Sequence, residues 1–369
     1  MTARRAAPLI LHIHPDATGG GAARTARLVR ALGSSYRHAV LPAQAERRDW
    51  LQDARVNWIA DFPPLAGKPM PGRLQRLAKA MLPYDLVVTH GYGAIDAAMA
   101  RTAFSEAYQP PPLIHHEWSH NPVISQFERR KRNWYRRVAF GKLAGLIVDT
   151  EAVERRALVD WQQPMGRVKL LADGIDVRAF ANRPRPDALP SLVKRAGEWW
   201  LGAIDPAGTL AGLAEAVALL EKLPERCHLV WATAYDRTEA VAEIADARSL
   251  NHRVHNVGEM PALSRFVGLF DTLYLPDDTA EQREAVLAAM ASGLPVCGTD
   301  GWHELLAEPN HGLLAESGER QLDRLAGEPA LAREIGEANR RRALAEFDDA
   351  KLVEAYRRLF DSALALPRR

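Results

Sequence analysis

Short apolar runs alternate with amphipathic stretches along most of the chain. Runs typical of buried strands occur at residues 8–14, 38–42, 84–89 and 145–148, and polar or helix-like sequence separates them. Strands of a parallel sheet are joined by crossover connections, most often helices, and this arrangement gives the same alternation. The pattern therefore predicts an α/β fold built on parallel sheets.

The alternation restarts after a segment rich in Arg, Pro and Asp at residues 183–190. Further strands are expected at residues 199–204, 227–233 and 272–275, with helical patterns between them. A chain of 369 residues is also longer than one typical domain. We therefore predict two α/β domains and a final helix, over residues 1–178, 179–345 and 346–369.

The composition, 47% hydrophobic and 25% charged, is that of an ordinary globular protein. No apolar run reaches the length of a membrane span, about 18 residues, and the opening MTARRAAPLILHIH has too short an apolar part for a signal peptide. Both cysteines, Cys227 and Cys297, stand in strand-like apolar runs and are expected as buried thiols of a reducing compartment. These features predict a cytoplasmic protein.

Charge is divided unevenly along the chain. Residues 1–178 hold 26 Lys and Arg against 16 Asp and Glu, and the remainder holds 22 against 30. The most basic stretch, ERRKRNWYRR at residues 128–137, begins a helix that also carries aromatic residues. A solvated face is the common explanation of such a run, and an anionic membrane or nucleic acid are the alternatives. Of these two partners the basic first half favours the membrane, and the residues expected to face it are Arg129, Arg130, Lys131, Arg132 and Trp134.

Three glycines, Gly19 to Gly21, follow the first strand and precede a helical pattern at residues 22–32. Glycines let the backbone approach a bound group, and a helix N-terminus offers N–H donors and a partial positive charge. The segment therefore suits a phosphate, and a flexible turn is the alternative. The dinucleotide fingerprint is not met, because Arg24 occupies the position of its third glycine.

Several predicted strands end in histidine, among them those that lead to His90 and His116. The carboxyl ends of parallel strands form the edge at which such sheets bind ligands. Residues 116–120, HEWSH, also spell the zinc-protease signature, which requires a helix that brings both histidines one turn apart. Because prolines at 110–112 and 122 leave no room for that helix, we predict no metal at this signature.

Residues 277–306 combine a short acidic loop, an apolar helix, a Gly293-Leu294-Pro295 break and a brief strand at 296–298. A loop that leads into a helix N-terminus, followed by a strand that opens onto another loop, is how open α/β sheets build ligand crevices. We therefore expect a binding site here.

Several of these fragments, in their order along the chain, resemble family 4 glycosyltransferases of the GT-B fold. The matching fragments are Gly19–Gly21 with its helix, residues 85–91, Ile114–His116, Ala172–Asp176, and residues 289–296 with the following Thr299-Asp300. The resemblance covers nearly the whole chain. It implies two Rossmann-like domains that face each other across a cleft, and a C-terminal helix that crosses back to the first domain.

The resemblance also implies an activity. Such enzymes move a sugar from a nucleotide-sugar, such as a UDP- or GDP-sugar, to a glycan or lipid-linked acceptor, usually with retention and without a metal or other cofactor. The donor would bind the second domain and the acceptor the first, where His90 lies. Many members work at the inner face of the plasma membrane on cell-surface polysaccharides or glycolipids, which agrees with a basic first domain. We expect no nucleic acid as partner.

Some positions of the family are kept. His116 stands where the family places a histidine close to the reacting sugar, and Glu304 stands where the loop after Thr299-Asp300 carries a glutamate. The resemblance therefore implies a catalytic role for His116. It implies donor-binding roles for Gly19, Gly20, Gly21, Asp300 and Glu304.

Other positions depart from the family. Its two glutamates, eight positions apart, fall on Ala280 and Ala288. Glu281 and Glu284 lie close in sequence to the missing sugar-side carboxylate, and we expect them to act as catalytic replacements.

The arginine and lysine with which the family neutralises the diphosphate fall on Ala203 and Ala207. Losing both cations removes electrostatic stabilisation of the leaving group. Two hypotheses follow. One is an active glycosyltransferase with a rebuilt donor pocket, and the other is a degenerate GT-B protein that binds a glycan, lipid or partner without transferring a sugar.

Overall fold

The structure is a computed structural model that describes residues 6–14, 20–33, 35–42, 56–118, 125–190, 192–233, 236–259, 262–279 and 282–367. The chain forms two compact units. The first unit comprises Met1–Asp173 and Lys351–Arg369, and the second comprises Gly174–Ala350. The first unit thus ends a few residues before the expected domain boundary at residue 178. The chain returns to the first unit a few residues after the expected boundary at residue 345.

The first unit holds a seven-stranded sheet in the order β3-β2-β1-β4-β5-β6-β7. Its strands are β1 (Leu9–Ile13), β2 (Arg37–Leu41), β3 (Val56–Trp58), β4 (Leu86–His90), β5 (Leu113–Glu117), β6 (Gly145–Val148) and β7 (Val168–Leu170). Its helices are α1 (Gly20–Leu32), α2 (Pro71–Met81), α3 (Ile95–Ala103), α4 (Ser105–Tyr108), α5 (Gln126–Ala139) and α6 (Glu151–Val159), and α13 (Asp349–Leu364) returns to it.

The second unit holds a five-stranded sheet in the order β10-β9-β8-β11-β12. Its strands are β8 (Trp199–Asp205), β9 (Cys227–Thr233), β10 (Val254–Glu259), β11 (Thr272–Leu275) and β12 (Val296–Gly298). Its helices are α7 (Leu213–Glu221), α8 (Thr238–Asp246), α9 (Arg283–Ser292), α10 (Glu308–Leu314), α11 (Gly318–Gly327) and α12 (Pro329–Glu346).

Strand pairing is parallel throughout both sheets. The predicted α/β class is therefore confirmed. Both cysteines are buried free thiols on strands, as predicted, and burial raises the pKa of Cys297 to about 12. The predicted break after α9 is also present, because Gly293 ends that helix with a left-handed φ of 76°.

The last helix, α13, packs on the sheet of the first unit. Leu352, Tyr356 and Phe360 recur every four residues, so they share one helix face, and all three are buried in a cluster with Ile10 and Ile147 of the sheet. Full burial of one large apolar side chain contributes about 1.5–3 kcal/mol. The predicted return of the C-terminal helix to the first domain is therefore confirmed, and it carries Tyr356 into that domain.

Candidate functional site

The strand order makes a switch point between β1 and β4 in the first sheet and between β8 and β11 in the second. At such a point the connections leave towards opposite faces of the sheet, so a crevice forms outside the carboxyl ends of the two strands. In the first unit this edge holds His14 and His90, and in the second it holds Asp205 and Pro276. These two edges are the candidate binding sites.

The edge of the first unit carries a histidine cluster, which consists of His12, His14, His90 and His116. The rings of His14 and His90 stack at a centroid distance of 3.8 Å, and His90 lies 5.8 Å from His12 and 5.9 Å from His116. None of the four residues is more than 4% exposed. Strands β1, β4 and β5 are neighbours in the sheet, so histidines far apart in sequence meet at one place.

The four rings are neutral at neutral pH. Burial disfavours the charged form of an imidazole, and it lowers the pKa of His14 to about 3. Burial also lowers the pKa of His12, His90 and His116 well below the ordinary value for histidine. Each neutral ring offers one N–H donor and one acceptor nitrogen.

His116, the predicted catalytic histidine, uses both ring nitrogens inside the first unit. Arg24 Nη1 lies 3.1 Å from His116 Nε2, and a guanidinium only donates, so Nε2 accepts and the ring proton is on Nδ1. That N–H donates to Tyr356 Oη at 3.3 Å. These bonds and the full burial of the ring favour a positioning role for His116. A role beside a reacting sugar stays a prediction.

Arg24 is the residue that organises this part of the unit. Its Nε donates to Asp173 Oδ1 at 2.9 Å, and its Nη1 donates to the Leu171 carbonyl at 3.0 Å. Its guanidinium also lies 5.3 Å from the ring centroid of Trp118. Sequence reasoning missed Arg24 and Tyr356 as site residues. The available signal was Asp173, which belongs to the family-like segment 172–176.

The glycine segment is described only in part. Gly20 and Gly21 form the first turn of α1, which therefore begins two residues earlier than the sequence pattern predicts. Gly19 lies outside the described residues. The phosphate-binding role of the three glycines stays a prediction.

The zinc-protease signature does not form a helix in its described part, as predicted, because β5 continues through Glu117. The Glu117 carboxylate accepts two hydrogen bonds from Arg136, from Nε at 2.9 Å and from Nη2 at 2.7 Å. Burial alone would raise the pKa of Glu117, but the bonds from Arg136 and His115 lower it to about 2. His120 lies outside the described residues.

The basic run on α5 divides into an exposed face and an inner face. Arg129, Arg130, Lys131 and Trp134 are exposed, as expected for residues that face a partner. Arg132 differs, because it is partly covered, pairs with Glu128 at 3.3 Å and lies over the Tyr92 ring. The exposed face also carries apolar side chains that sequence reasoning did not select, Phe127 at 79% exposure and Val138 at 38%.

The edge of the second unit begins with the loop after β8. Asp205 Oδ2 accepts a hydrogen bond from the Leu210 amide at 2.8 Å and closes the loop. Ala203 is buried inside β8 and Ala207 is exposed in the loop. Arg237, from the segment between β9 and α8, donates from Nε to the Gly208 carbonyl at 3.0 Å. Arg237 therefore brings a positive charge to this loop, where the arginine and lysine of the family are replaced by Ala203 and Ala207.

The turn after β12 completes this edge. Gly298 has a φ of 133°, and a Cβ there would lie 1.8 Å from the Leu275 carbonyl oxygen, so the position requires glycine. Trp302 Nε1 donates to the Asp277 carbonyl at 3.1 Å and fixes the turn against the loop after β11. Asp300 and Glu304 are both exposed on this turn.

The helix α9 presents different residues to solvent and to the core. Glu284 is exposed in its first turn, whereas Ala288 is completely buried. Ala280 and Glu281 lie outside the described residues. The proposed replacement of a catalytic carboxylate by Glu281 or Glu284 stays a prediction.

Three buried amide side chains hold the edge strand β12 in place. Asn310 accepts from the Val296 amide at 3.0 Å and donates to the Val296 carbonyl at 2.8 Å, as a neighbouring strand would. Gln321 accepts from the Gly298 amide at 2.9 Å, and Asn339 donates to Asn310 Oδ1 at 2.8 Å. This network positions the turn that carries Asp300.

Comparison with known proteins agrees with this architecture. Residues 199–328, which lie in the second unit, match the sequence profile of a family described as Glycosyl transferases group 1. No curated protein sequence matches the chain.

Solved structures resemble the chain over nearly its whole length at low sequence identity. A glycosyltransferase from Rickettsia africae ESF-5 is 14% identical, with 98% of this chain and 100% of that chain covered and a TM-score of 0.75. HepE from Anabaena in complex with UDP-glucose is 14% identical, with 96% and 100% covered and a TM-score of 0.68. The lipopolysaccharide outer core galactosyltransferase WaaB is 10% identical, with 96% and 99% covered and a TM-score of 0.64. The predicted GT-B fold is therefore confirmed.

Proposed function

We propose that the chain is a glycosyltransferase, of family 4 as the sequence resemblance implies, which moves a sugar from a nucleotide-sugar to a glycan or lipid-linked acceptor. The observation that carries the proposal is the match of residues 199–328 to Glycosyl transferases group 1. That segment contains all five strands of the second sheet and therefore its switch-point edge. HepE, which has a similar fold, has been crystallised with UDP-glucose.

On the donor side, we propose that Arg237 supplies the positive charge that Ala203 and Ala207 cannot supply. A guanidinium beside the loop after β8 can donate to a diphosphate and stabilise the charge that develops on the leaving group. Asp300 and Glu304, exposed on the turn after β12, would accept hydrogen bonds from sugar or ribose hydroxyls. The transfer would need no metal or other cofactor.

We also propose a stereochemical outcome of the transfer, a class of donor sugar and a class of acceptor. We expect retention of configuration and a hexose donor, as the sequence resemblance implies. WaaB, a similar structure, is described as a galactosyltransferase of the lipopolysaccharide outer core. A role in bacterial cell-surface polysaccharide or glycolipid synthesis at the inner face of the plasma membrane is consistent with that likeness.

The exposed face of α5 supports peripheral contact with an anionic membrane. Among the described residues no helix is long and apolar enough to cross a bilayer. Phe127, Arg130, Lys131, Trp134 and Val138 follow a spacing of three, four, seven and eleven residues, so cations and apolar side chains share one exposed face. Aromatic rings and cations together suit the headgroup region of a bilayer.

A second candidate function is a binding module without transferase activity. Ala203 is 1% exposed and Ala288 is completely buried, so at two of the family's charged positions the chain has small apolar residues in its interior. This observation favours a protein that has kept the fold and lost the chemistry.

Calorimetric titration of the chain with UDP, GDP, UDP-glucose and GDP-mannose tests the proposal. We expect saturable binding of one nucleotide series, and weaker binding of its sugar form to the Asp300→Ala/Glu304→Ala double variant. Glu337→Ala, which removes an exposed carboxylate on α12, is the control and should bind like the wild type. Absence of binding by every nucleotide would overturn the proposal.

Release of the nucleoside diphosphate separates the two candidate functions. An active enzyme should release it in the presence of a lipid-linked oligosaccharide fraction, and NMR of the product should show the donor's anomeric configuration. Donor binding without release in any acceptor fraction would favour the binding module.

A further inference from the structure

Three histidines of the first unit form a triad with the spacing of a metal site. Ring nitrogens of His12, His14 and His90 all lie within 4.8 Å of one another. His12 lies near the end of β1, His14 follows its last residue, and His90 ends β4, so the triad lies at the switch point of the first sheet. His12 and His14 have no role in the sugar transfer proposed above. His90 has only the acceptor-side position predicted from the sequence.

We propose that His12, His14 and His90 bind one divalent transition-metal ion, with Zn²⁺ as the preferred ion. Imidazole nitrogens suit zinc, copper, nickel and iron, whereas Mg²⁺ and Ca²⁺ prefer oxygen ligands. Three protein ligands leave a fourth position of a tetrahedral zinc site open to water or another ligand. The ion would join the carboxyl ends of β1 and β4.

His90 gives the first independent support. Its side chain is 4% exposed, and in the part of the chain that the structure describes neither ring nitrogen has a hydrogen-bond partner. Buried polar groups in native proteins are nearly always satisfied, and an exception calls for an explanation such as an ion. A metal bound to one nitrogen of His90 supplies the missing partner.

His12 gives the second independent support for a metal site. Its Nε2 lies 3.1 Å from His38 Nδ1, and its Nδ1 has no partner among the described residues. A ligating histidine typically donates its other ring N–H to an outer group, which fixes the ring and directs the free lone pair at the metal. With Nε2 as the donor to His38, the Nδ1 lone pair of His12 remains available to a metal ion.

Two features of the surroundings bear on the geometry. The rings of His14 and His90 are nearly parallel, at 13°, so one ring must turn for both lone pairs to meet one ion. Arg24 contacts His116, whose ring lies 5.9 Å from that of His90, but its charge is balanced by Asp173 at 2.5 Å. Arg24 therefore places no uncompensated charge beside the triad.

The test is a titration of the full chain, purified without a polyhistidine tag and freed of metal by chelation. We expect one Co²⁺ per chain, with visible absorption bands, and displacement of Co²⁺ by one equivalent of Zn²⁺. His90→Asn should abolish binding, and His38→Asn, which removes only the outer partner of His12, should weaken it by about 10–100-fold. The matched control is His228→Asn, because the stacked rings of His228 and His255 form a histidine pair in the second unit, with Nδ1 of His228 3.0 Å from Nε2 of His255.

Wild-type protein that binds neither Co²⁺ nor Zn²⁺ would overturn the proposal, as would equal binding by the wild type and the His90→Asn variant. X-ray absorption of the zinc-loaded wild type keeps the test decisive if the variants fail to fold. A spectrum that shows three imidazole ligands on the zinc ion would support the site, and a spectrum that shows fewer than three would contradict it. Neither outcome depends on whether the chain transfers sugars.

Discussion

Arg136 and Glu117 form a buried two-point ion pair in the first unit. Both oxygens of the Glu117 carboxylate accept from the guanidinium, at 2.9 and 2.7 Å, and the two side chains are 4% and 2% exposed. The pair joins α5 to β5, and the same guanidinium lies over the rings of Tyr92 and Trp161. One cation of the basic run is therefore structural.

Arg136→Met should destabilise the protein by about 3–5 kcal/mol, because it leaves the Glu117 carboxylate buried without its partner. The Glu117→Met/Arg136→Met double variant should recover much of this loss, since it removes both charges. Arg137→Met, at the next and exposed position, is the control and should change stability by no more than about 0.5 kcal/mol. Denaturant unfolding measures all three. A single variant as stable as the control would contradict a structural role.

The acid sensitivity of the protein should depend on Glu117. Its pKa is about 2 in the folded protein and 4.5 without the fold, so its stabilising contribution is complete above pH 4.5 and is lost as the pH falls towards 2. The difference corresponds to about 3 kcal/mol. Free energies of unfolding measured between pH 6 and pH 2 should fall more steeply for the wild type than for Glu117→Gln. Parallel pH profiles would show that the carboxylate is already protonated or unpaired.

The overall architecture could be read from the sequence because its signals are local. Strand-like runs, the Gly293 break and the amphipathic pattern of α13 each depend on residues within a few positions of one another. Parallel pairing follows from the alternation of these elements, and so does the position of His90 at the end of its strand, whereas β5 continues one residue beyond His116.

The contacts that define the site are not local, and the sequence did not reveal them. Arg24 and Asp173 are 149 positions apart, and Tyr356 reaches His116 only because α13 returns to the first unit. In the sequence Arg136 resembles its exposed neighbours in the basic run, because a helical charge pattern does not show which arginine has a buried acidic partner on a strand.

Asn310→Ala should destabilise the second unit by about 2 kcal/mol or more, because it leaves the buried amide and carbonyl of Val296 without partners. Hydrogen exchange should also become faster at residues 294–298, which include β12. Asn251→Ala removes an exposed asparagine and should leave both measurements unchanged. Unaltered exchange at β12 in the Asn310 variant would mean that the network does not hold the strand.

Arg237→Ala should weaken binding of the nucleoside diphosphate by about tenfold or more, as expected for a lost charge-assisted hydrogen bond. Binding of the corresponding nucleoside, which has no phosphate, should stay the same. Arg248→Ala, which removes an exposed arginine paired with Glu221, is the control. Calorimetry distinguishes the outcomes. Equal affinities of wild type and Arg237→Ala for the diphosphate would remove Arg237 from the site, whereas a wild type that binds no nucleotide contradicts the proposed function itself.

The exposed face of α5 should bind vesicles of equal parts phosphatidylcholine and phosphatidylglycerol. Each cation near an anionic surface contributes about 1 kcal/mol, so Arg130→Gln/Lys131→Gln should lower partitioning by at least tenfold. Phe127→Ala/Trp134→Ala should lower the partitioning that the wild type retains in high salt, because the apolar contribution remains after the charges are screened. Arg333→Gln/Arg341→Gln on α12 removes two exposed cations elsewhere and is the control. Sedimentation of the α5 variants equal to that of the wild type would leave this face as a solvated one.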